Sequence, residues 1–271
     1  MQKRQSAKLK YALLGMMGLA TVWGTTHSSL EAQAAKTPEA PFKGITIVSS
    51  SVEGAKTYQV PSCWDNRERK IVYLTFDDGP SYRTEDILDI LEKYNVPATF
   101  FFVGTQIEGR EDIVEMVADA GHYVAMHSIS HSVEQLYNAE TPDNLTNELI
   151  EMQDMIEEIT GHRPILFRAP YGTMPHMKKE PILDSLYEAG FKAWDWTVDS
   201  YDWNVSSVDQ LMEKVKLTAG SRNDVVLMHE KALTVEALPT VIEYYQEQGY
   251  EFRAYDEANH VVVNQMKDDR F

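Results

Sequence analysis

Two adjacent carboxylates, Asp77 and Asp78, end the apolar run Ile71-Val72-Tyr73-Leu74 and precede Gly79-Pro80. Acids this close repel, so a cationic group should hold them. Two candidates stand in the sequence. His127 and His131, at i and i+4 in His127-Ser128-Ile129-Ser130-His131, face the same way on a helical turn and can share one metal ion. Histidines at that spacing are more often surface or capping residues. Joined to Asp78 they form a two-histidine, one-carboxylate set that leaves positions open for water and substrate. Zinc suits such ligands and is the expected ion, and cobalt, nickel and iron suit the same ligand types. The second cation is Arg168. A free carboxylate, ionised beside the metal and Arg168, is a reasonable general base for an attacking water. The plainer reading of Arg168 is a buried salt bridge that only stabilises the fold.

His229 ends another hydrophobic run, Val225-Val226-Leu227-Met228. A lone histidine there is ordinarily a core residue with its hydrogen bonds satisfied. Asp199 and Asp202 lie on the preceding strand end, and a carboxylate partner raises an imidazole pKa and fixes its tautomer. That pairing makes a general acid for a departing amine or alkoxide. Trp203, Tyr201 and Tyr171 suit an aromatic wall for a sugar ring. Trp194 and Trp196 read as packing, His122 as structural and His162 as a loop residue.

The elements that position these groups alternate. Strands are predicted over 70–76, 98–103, 122–126, 164–168, 191–198, 224–228 and 250–254, rich in Val, Ile and aromatics. Between them, helices are predicted over 84–94, 112–120, 143–160, 181–189, 208–218 and 235–248. The third of these has Leu145, Leu149, Met152, Ile156 and Ile159 on one stripe and ends at Gly161. About seven strands alternating with helices argue for an α/β fold with a parallel sheet. A distorted, nearly closed (β/α) barrel fits this length better than an open doubly wound sheet. Each reactive residue falls at the C-terminal end of a strand, and in such a barrel those ends form one rim, where active sites are built.

Composition narrows the rest. The chain has 271 residues and a net charge of −17, which argues against a nucleic-acid partner. Its one cysteine, Cys63, allows no intramolecular disulfide or cysteine-rich zinc site and reads as an unreactive thiol. Lys3, Arg4, Lys8 and Lys10 precede an apolar stretch over 11–24 and then Ala32-Gln33-Ala34. This is the layout of a secretory signal peptide over 1–34, so a secreted or wall-associated protein is expected. An uncleaved amphipathic anchor is the weaker alternative. Cleavage after Ala34 removes four basic residues and one acid, taking the net charge from −17 to −20. Residues 35–68 read as a linker and N-terminal arm with a short strand at 45–48, and residues 69–271 as the catalytic domain. No protein partner is inferred.

These residues resemble the polysaccharide deacetylases of carbohydrate esterase family 4, the NodB-homology domain. The resemblance spans about 68–255 and runs through five motifs in the family's order. They are Thr75-Phe76-Asp77-Asp78-Gly79-Pro80, His127-Ser128-Ile129-Ser130-His131, Arg168-Ala169-Pro170-Tyr171, Asp199-Ser200-Tyr201-Asp202-Trp203 and Leu227-Met228-His229. The resemblance implies that Asp77 is the catalytic base and that Asp78, His127 and His131 ligate a divalent metal. Arg168 would orient the base, and the Tyr171 backbone N–H would help form the oxyanion hole. His229 would be the general acid, with Asp202 rather than Asp199 as its partner. Leu227 and Trp203 would wall the acetyl pocket, with Pro170, Tyr171 and Tyr201 on the substrate side. The implied activity is removal of the N-acetyl group from N-acetylglucosamine units of peptidoglycan or a related polysaccharide, releasing acetate. Chitooligosaccharides and O-acetyl-xylan are alternative substrates, and a catalytically silent wall-binding protein is the alternative of another class. Ala125-Met126 replace a common Gly-Asn, Ala169 stands where Pro is frequent, and Glu230 where Asp is common. These departures spare every ligand, base and acid and bear on substrate preference.

Overall fold

The computed structural model describes residues 69–138 and 140–271. The expected signal peptide, the arm with its short strand at 45–48, and Cys63 lie outside the described residues. In chain order the elements are β1 (Ile71–Gly79), α1 (Thr84–Tyr94), β2 (Ala98–Phe102), α2 (Gly104–Ile107), α3 (Glu111–Asp119), β3 (Tyr123–Met126), α4 (Val133–Leu136) and α5 (Asn144–Thr160). There follow β4 (Leu166–Phe167), α6 (Glu180–Glu188), β5 (Lys192–Ala193), β6 (Val198–Asp199), α7 (Val208–Thr218), β7 (Asn223–His229), α8 (Ala232–Glu247) and β8 (Glu251–Phe252). The short helices α2 and α4 have no counterpart in the expected pattern, because four residues carry no readable period.

The strands are parallel, in the order β5-β4-β3-β2-β1-β7-β6. β8 pairs only with Ile71 and Val72, below the point where Leu74 first meets Ala98 of β2. The expected distorted (β/α) barrel is the observed architecture, with one correction. The single strand expected over 191–198 is two strands, β5 and β6, at opposite ends of the sheet. Residues 194–197 cross from one edge to the other. Extended chain spans at most ~3.6 Å per residue, so the two edges lie within about 18 Å and the sheet must curl. The carbonyls of Trp194 and Asp195 break from the ladder because the Arg168 guanidinium takes both, at 3.1 Å and 2.9 Å.

Period-two alternation along the strands sorts the core into two layers. Val72, Leu74 and Phe76 of β1, Phe100 and Phe102 of β2, Val124 and Met126 of β3, and Val226 and Met228 of β7 pack under the helices. Leu145, Leu149, Met152 and Ile156 of α5 meet them from outside, and Gly161, at φ 73°, ends that helix in the left-handed region. The opposite parity, Tyr73, Phe101, Ala125, Leu166 and Val225, fills the barrel interior with Trp194 and Tyr255. This second layer sets the site. Continued to the strand ends, the same parity carries Asp77 on β1, His127 after β3, Arg168 after β4, and Leu227 and His229 on β7.

Candidate active site

Those residues meet at the C-terminal rim. A cavity of about 480 Å³ opens there, lined by Asp77, Asp78, His127, His131, Leu227 and His229, with Trp203 and Tyr171 at its mouth. Asp78 has the wrong parity for the interior and arrives by another route. The β1–β2 register shifts between Asp77 and Gly79, and Asp78 sits at φ 68°. That left-handed turn, tolerable for Asp, swings its carboxylate to the histidines. Ser128, His131, Tyr171 and Tyr201 also have positive φ. Strained backbone gathered at one rim is what a positioned site requires.

Asp78 Oδ1 lies 3.3 Å from His131 Nε2 and 3.6 Å from His127 Nε2. The three ligand atoms lie within 4.8 Å of one another. Ligands held about 2.0–2.2 Å from one ion in a tetrahedral shell stand roughly 3.3–3.6 Å apart, so the two measured separations fit a divalent ion. The tautomer fits as well. His127 Nδ1–H donates to the Arg168 carbonyl at 2.8 Å, leaving the Nε2 lone pair toward Asp78. Burial lowers the His127 pKa against the raising effect of Asp77 and Asp78, which favours the neutral, ligating form. Glu148 of α5 pins the turn between the histidines: Oε2 accepts from the Ile129 and Ser130 N–H groups, both at 2.9 Å, and Oε1 from the Ser130 hydroxyl at 2.8 Å.

Asp77 turns the other way. Its Oδ1 accepts from Arg168 Nη1 at 2.7 Å, and its Oδ2 stands 3.8 Å from His127 Nε2. Arg168 has 0% of its side chain exposed, and all three of its nitrogens are engaged. Nη1 also donates to Thr75 Oγ1 at 2.8 Å, while Nε and Nη2 donate to the two carbonyls that break the strand. The guanidinium lies 4.1 Å from the Phe101 ring centroid. A buried arginine so fully bonded fixes the position of its carboxylate partner.

On β7, His229 Nδ1 is 2.7 Å from Asp202 Oδ1. Asp202 Oδ2 accepts from the His229 backbone N–H at 2.6 Å and the Thr234 hydroxyl at 2.6 Å. Burial lowers the His229 pKa, but the Asp202 hydrogen bond, with the charges of Asp202, Asp77 and Asp78, outweighs it, and the net shift is upward. Asp199 instead accepts from the Tyr201 N–H at 2.8 Å. The structure thus pairs His229 with Asp202.

Two residues expected on the substrate side do not line the cavity. Pro170 is buried, its carbonyl accepting from the Tyr137 hydroxyl at 2.9 Å. Tyr201 stacks on Trp203, centroids 5.5 Å apart, and stiffens that ring from behind. Trp196, expected to be packing, does line the cavity, as does Lys231. His122 is structural as expected: burial pushes its pKa down to about 4, and its Nδ1 accepts from the Ala98 N–H at 3.1 Å. Glu148 on α5 and Asp195 between β5 and β6 went unread because a carboxylate whose partners are distant in sequence has no motif of its own, and the motif that holds Thr75 does not show that its hydroxyl meets Arg168.

A model of the polysaccharide deacetylase family matches residues 65–194. The chain is 41% identical over 227 residues to a peptidoglycan-N-acetylglucosamine deacetylase of Bacillus cereus, covering 81% of each. The crystal structure of a polysaccharide deacetylase from Bacillus cereus superposes with a TM-score of 0.69 at 39% identity, covering 75% of this chain and 100% of that one. A family 4 pseudoenzyme from Bacillus anthracis superposes with a TM-score of 0.61 at 29% identity, covering 68% of this chain and 63% of that one.

Proposed function

The chain belongs to the polysaccharide deacetylase family, carbohydrate esterase family 4, and from that premise we propose that it hydrolyses the N-acetyl group of N-acetylglucosamine units in peptidoglycan. One observation carries the reading: an arginine-held carboxylate and a carboxylate-held imidazole line the same cavity as the Asp78, His127 and His131 cluster. The Bacillus cereus relative supports peptidoglycan as the substrate. A silent protein on the same fold, as in the Bacillus anthracis pseudoenzyme, has no use for a base and an acid each locked by its own partner.

Asp78, His127 and His131 would hold the divalent ion, with zinc favoured by two imidazoles and one carboxylate. When bound, the ion supplies Lewis acidity to the acetamide carbonyl and to the attacking water. The protein's own groups do the rest. Asp77, aimed by Arg168, takes a proton from the water as its oxygen attacks the acetyl carbon. The Tyr171 N–H has no hydrogen-bond acceptor among the described residues, and it is free to donate to the developing oxyanion. His229, protonated and oriented by Asp202, gives its Nε2 proton to the glucosamine nitrogen as the C–N bond breaks. Acetate and a free amine leave. Leu227 and Trp203 wall the acetyl group, and Tyr171, whose ring centroid lies 4.9 Å from that of His131, flanks it.

Residues 1–34 would act as a cleaved secretory signal and 35–68 as a linker and N-terminal arm, placing the domain of 69–271 outside the cell. The test is acetate release from peptidoglycan, chitooligosaccharides and acetyl-xylan, with and without chelator. Chelator-sensitive release, largest on peptidoglycan, is expected. No release from any of the three would overturn the enzymatic reading, and chelator-insensitive release would overturn the ligand assignment.

A further inference from the structure

Asp195 is wholly buried, and no Lys, Arg or His side chain among the described residues forms an ion pair with it. A buried carboxylate without a cation is costly unless donors converge on it. Here they do. Oδ1 accepts from the Thr173 N–H at 2.8 Å, and Oδ2 from the Thr173 hydroxyl and, at 2.6 Å, from the Gln265 N–H. Its own N–H donates to the Val263 carbonyl at 2.7 Å. Next to it, the Trp194 indole N–H donates to the Val261 carbonyl at 2.6 Å. Asp195 therefore joins the turn over 169–173 to the C-terminal segment over 261–265.

That turn needs an anchor. Tyr171 lies at φ 66°, in the left-handed region, which a tyrosine does not adopt unless its surroundings impose it. Three contacts impose it. The Gly172 N–H donates to the Ala169 carbonyl at 2.8 Å, the Tyr137 hydroxyl donates to the Pro170 carbonyl at 2.9 Å, and Asp195 grips Thr173. Gly172, at φ 83°, lets the turn lie close, since a Cβ there would meet the Trp196 ring at 3.1 Å and Asp195 Oδ1 at 3.4 Å. The Asp195 carbonyl also accepts from Arg168 Nη2, while Arg168 Nη1 holds Asp77.

We propose that Asp195 is a positioning residue for acetate release: clamped from behind by the C-terminal segment, it sets the Tyr171 N–H at a fixed distance from the base. The inference rests on the reading of that N–H as the oxyanion donor. One short stretch, 194–195, then carries both the anchor of the base and the anchor of the oxyanion turn.

Thr173→Val removes the hydroxyl donor and keeps the side chain's shape, Thr173→Ser keeps the donor, and Gln265→Pro removes the backbone N–H at the clamp while also fixing φ there. The measurements are kcat and KM for acetate release, thermal midpoint, and amide hydrogen exchange at 171–173. Losing one oxyanion donor outright costs about 10²–10³ in kcat. Loosening one should cost roughly tenfold to thirtyfold in Thr173→Val, with KM within about twofold and faster exchange at 171–173. Thr173→Ser should return kcat to within about threefold of wild type, and Gln265→Pro should move kcat and exchange as Val does. Wild-type kcat and exchange in Thr173→Val would overturn the proposal. So would a Ser variant as impaired as Val with an equally lowered midpoint, which marks a purely structural contact. Should the wild type release no acetate, the deacetylase reading falls on its own, and the exchange at 171–173 decides the anchor: faster in Val supports it, unchanged overturns it.

Discussion

Two carboxylate–nitrogen pairs of equal length, 2.7 Å, serve one cavity and do opposite work. Asp77 is paired with Arg168, a partner that never gives up its proton, in a setting where neither side chain sees appreciable solvent. The fixed guanidinium aims the Asp77 carboxylate and gives its free oxygen a set direction. Asp202 is paired with His229, which titrates. Burial there opposes the charged imidazole, and the Asp202 bond with the surrounding carboxylates reverses that effect. On the proposed reading, the same contact serves a base when its partner is a permanent cation and an acid when its partner titrates. Asp78, adjacent to Asp77, shows the third outcome: 47% exposed and paired with no Lys or Arg among the described residues, it faces two imidazoles and suits a metal.

The sharpest way to break this contrast is at Asp77. Asp77→Asn keeps the shape and one acceptor for Arg168 but removes the proton acceptor, and kcat for acetate release should fall by about 10³- to 10⁴-fold, the upper end for a general base. The buried guanidinium loses its counter-charge, and a destabilisation of about 3 kcal/mol should follow, read as a lowered midpoint of thermal or urea unfolding. Full activity in a folded variant would end the assignment of Asp77 as base.

The second prediction turns on Asp202. In Asp202→Asn the amide oxygen should take over the His229 N–H and Thr234 hydroxyl bonds, leaving the NH₂ group against His229 Nδ1. That forces Nδ1 to accept and removes the charge that raised the pKa. The acid form of His229 is present below its pKa and lost as pH rises through it, so lowering that pKa moves the alkaline limb of kcat/KM to lower pH. A loss of about 10²-fold at neutral pH is expected, with KM little changed. An alkaline limb that stays put would show that something other than His229 sets it, and the contrast between the two pairs would fail.

The two pairs were unequally legible in the sequence. Asp77, Asp78, His127, Arg168 and His229 end apolar runs, and the runs have a period, so their place on one rim followed from alternation alone. The arrival of Asp78 by a left-handed turn did not, because a bulge leaves no mark on composition. The helices predicted over 84–94 and 208–218 match the structure to the residue. The stretch 191–198 misled: its β-branched and aromatic residues read as one strand, while the carbonyls at 194 and 195 were claimed by an arginine distant in sequence. Long-range polar claims of that kind, like those of Glu148 and Asp195, have no local signature. The choice of Asp202 over Asp199 likewise needed either the family resemblance or the hydrogen bonds.

The smallest expected effect separates binding from both pairs. Trp203 follows Asp202 directly, is 54% exposed, and lies against Tyr201 at the cavity mouth. Trp203→Ala removes an apolar face that a sugar ring or acetyl group would cover, in the ground state as much as in the transition state. Uniform binding lost in this way raises KM and spares kcat; a rise of roughly threefold to tenfold, or ~0.7–1.4 kcal/mol, suits one aromatic contact left partly in water. The pH profile should be that of wild type, because Asp202 keeps all its acceptors filled by His229 and Thr234. Were kcat to fall and the alkaline limb to move as in Asp202→Asn, Trp203 would be acting through its neighbour. The acid pair would then include the wall of the cavity, which the base pair, enclosed in the barrel, does not.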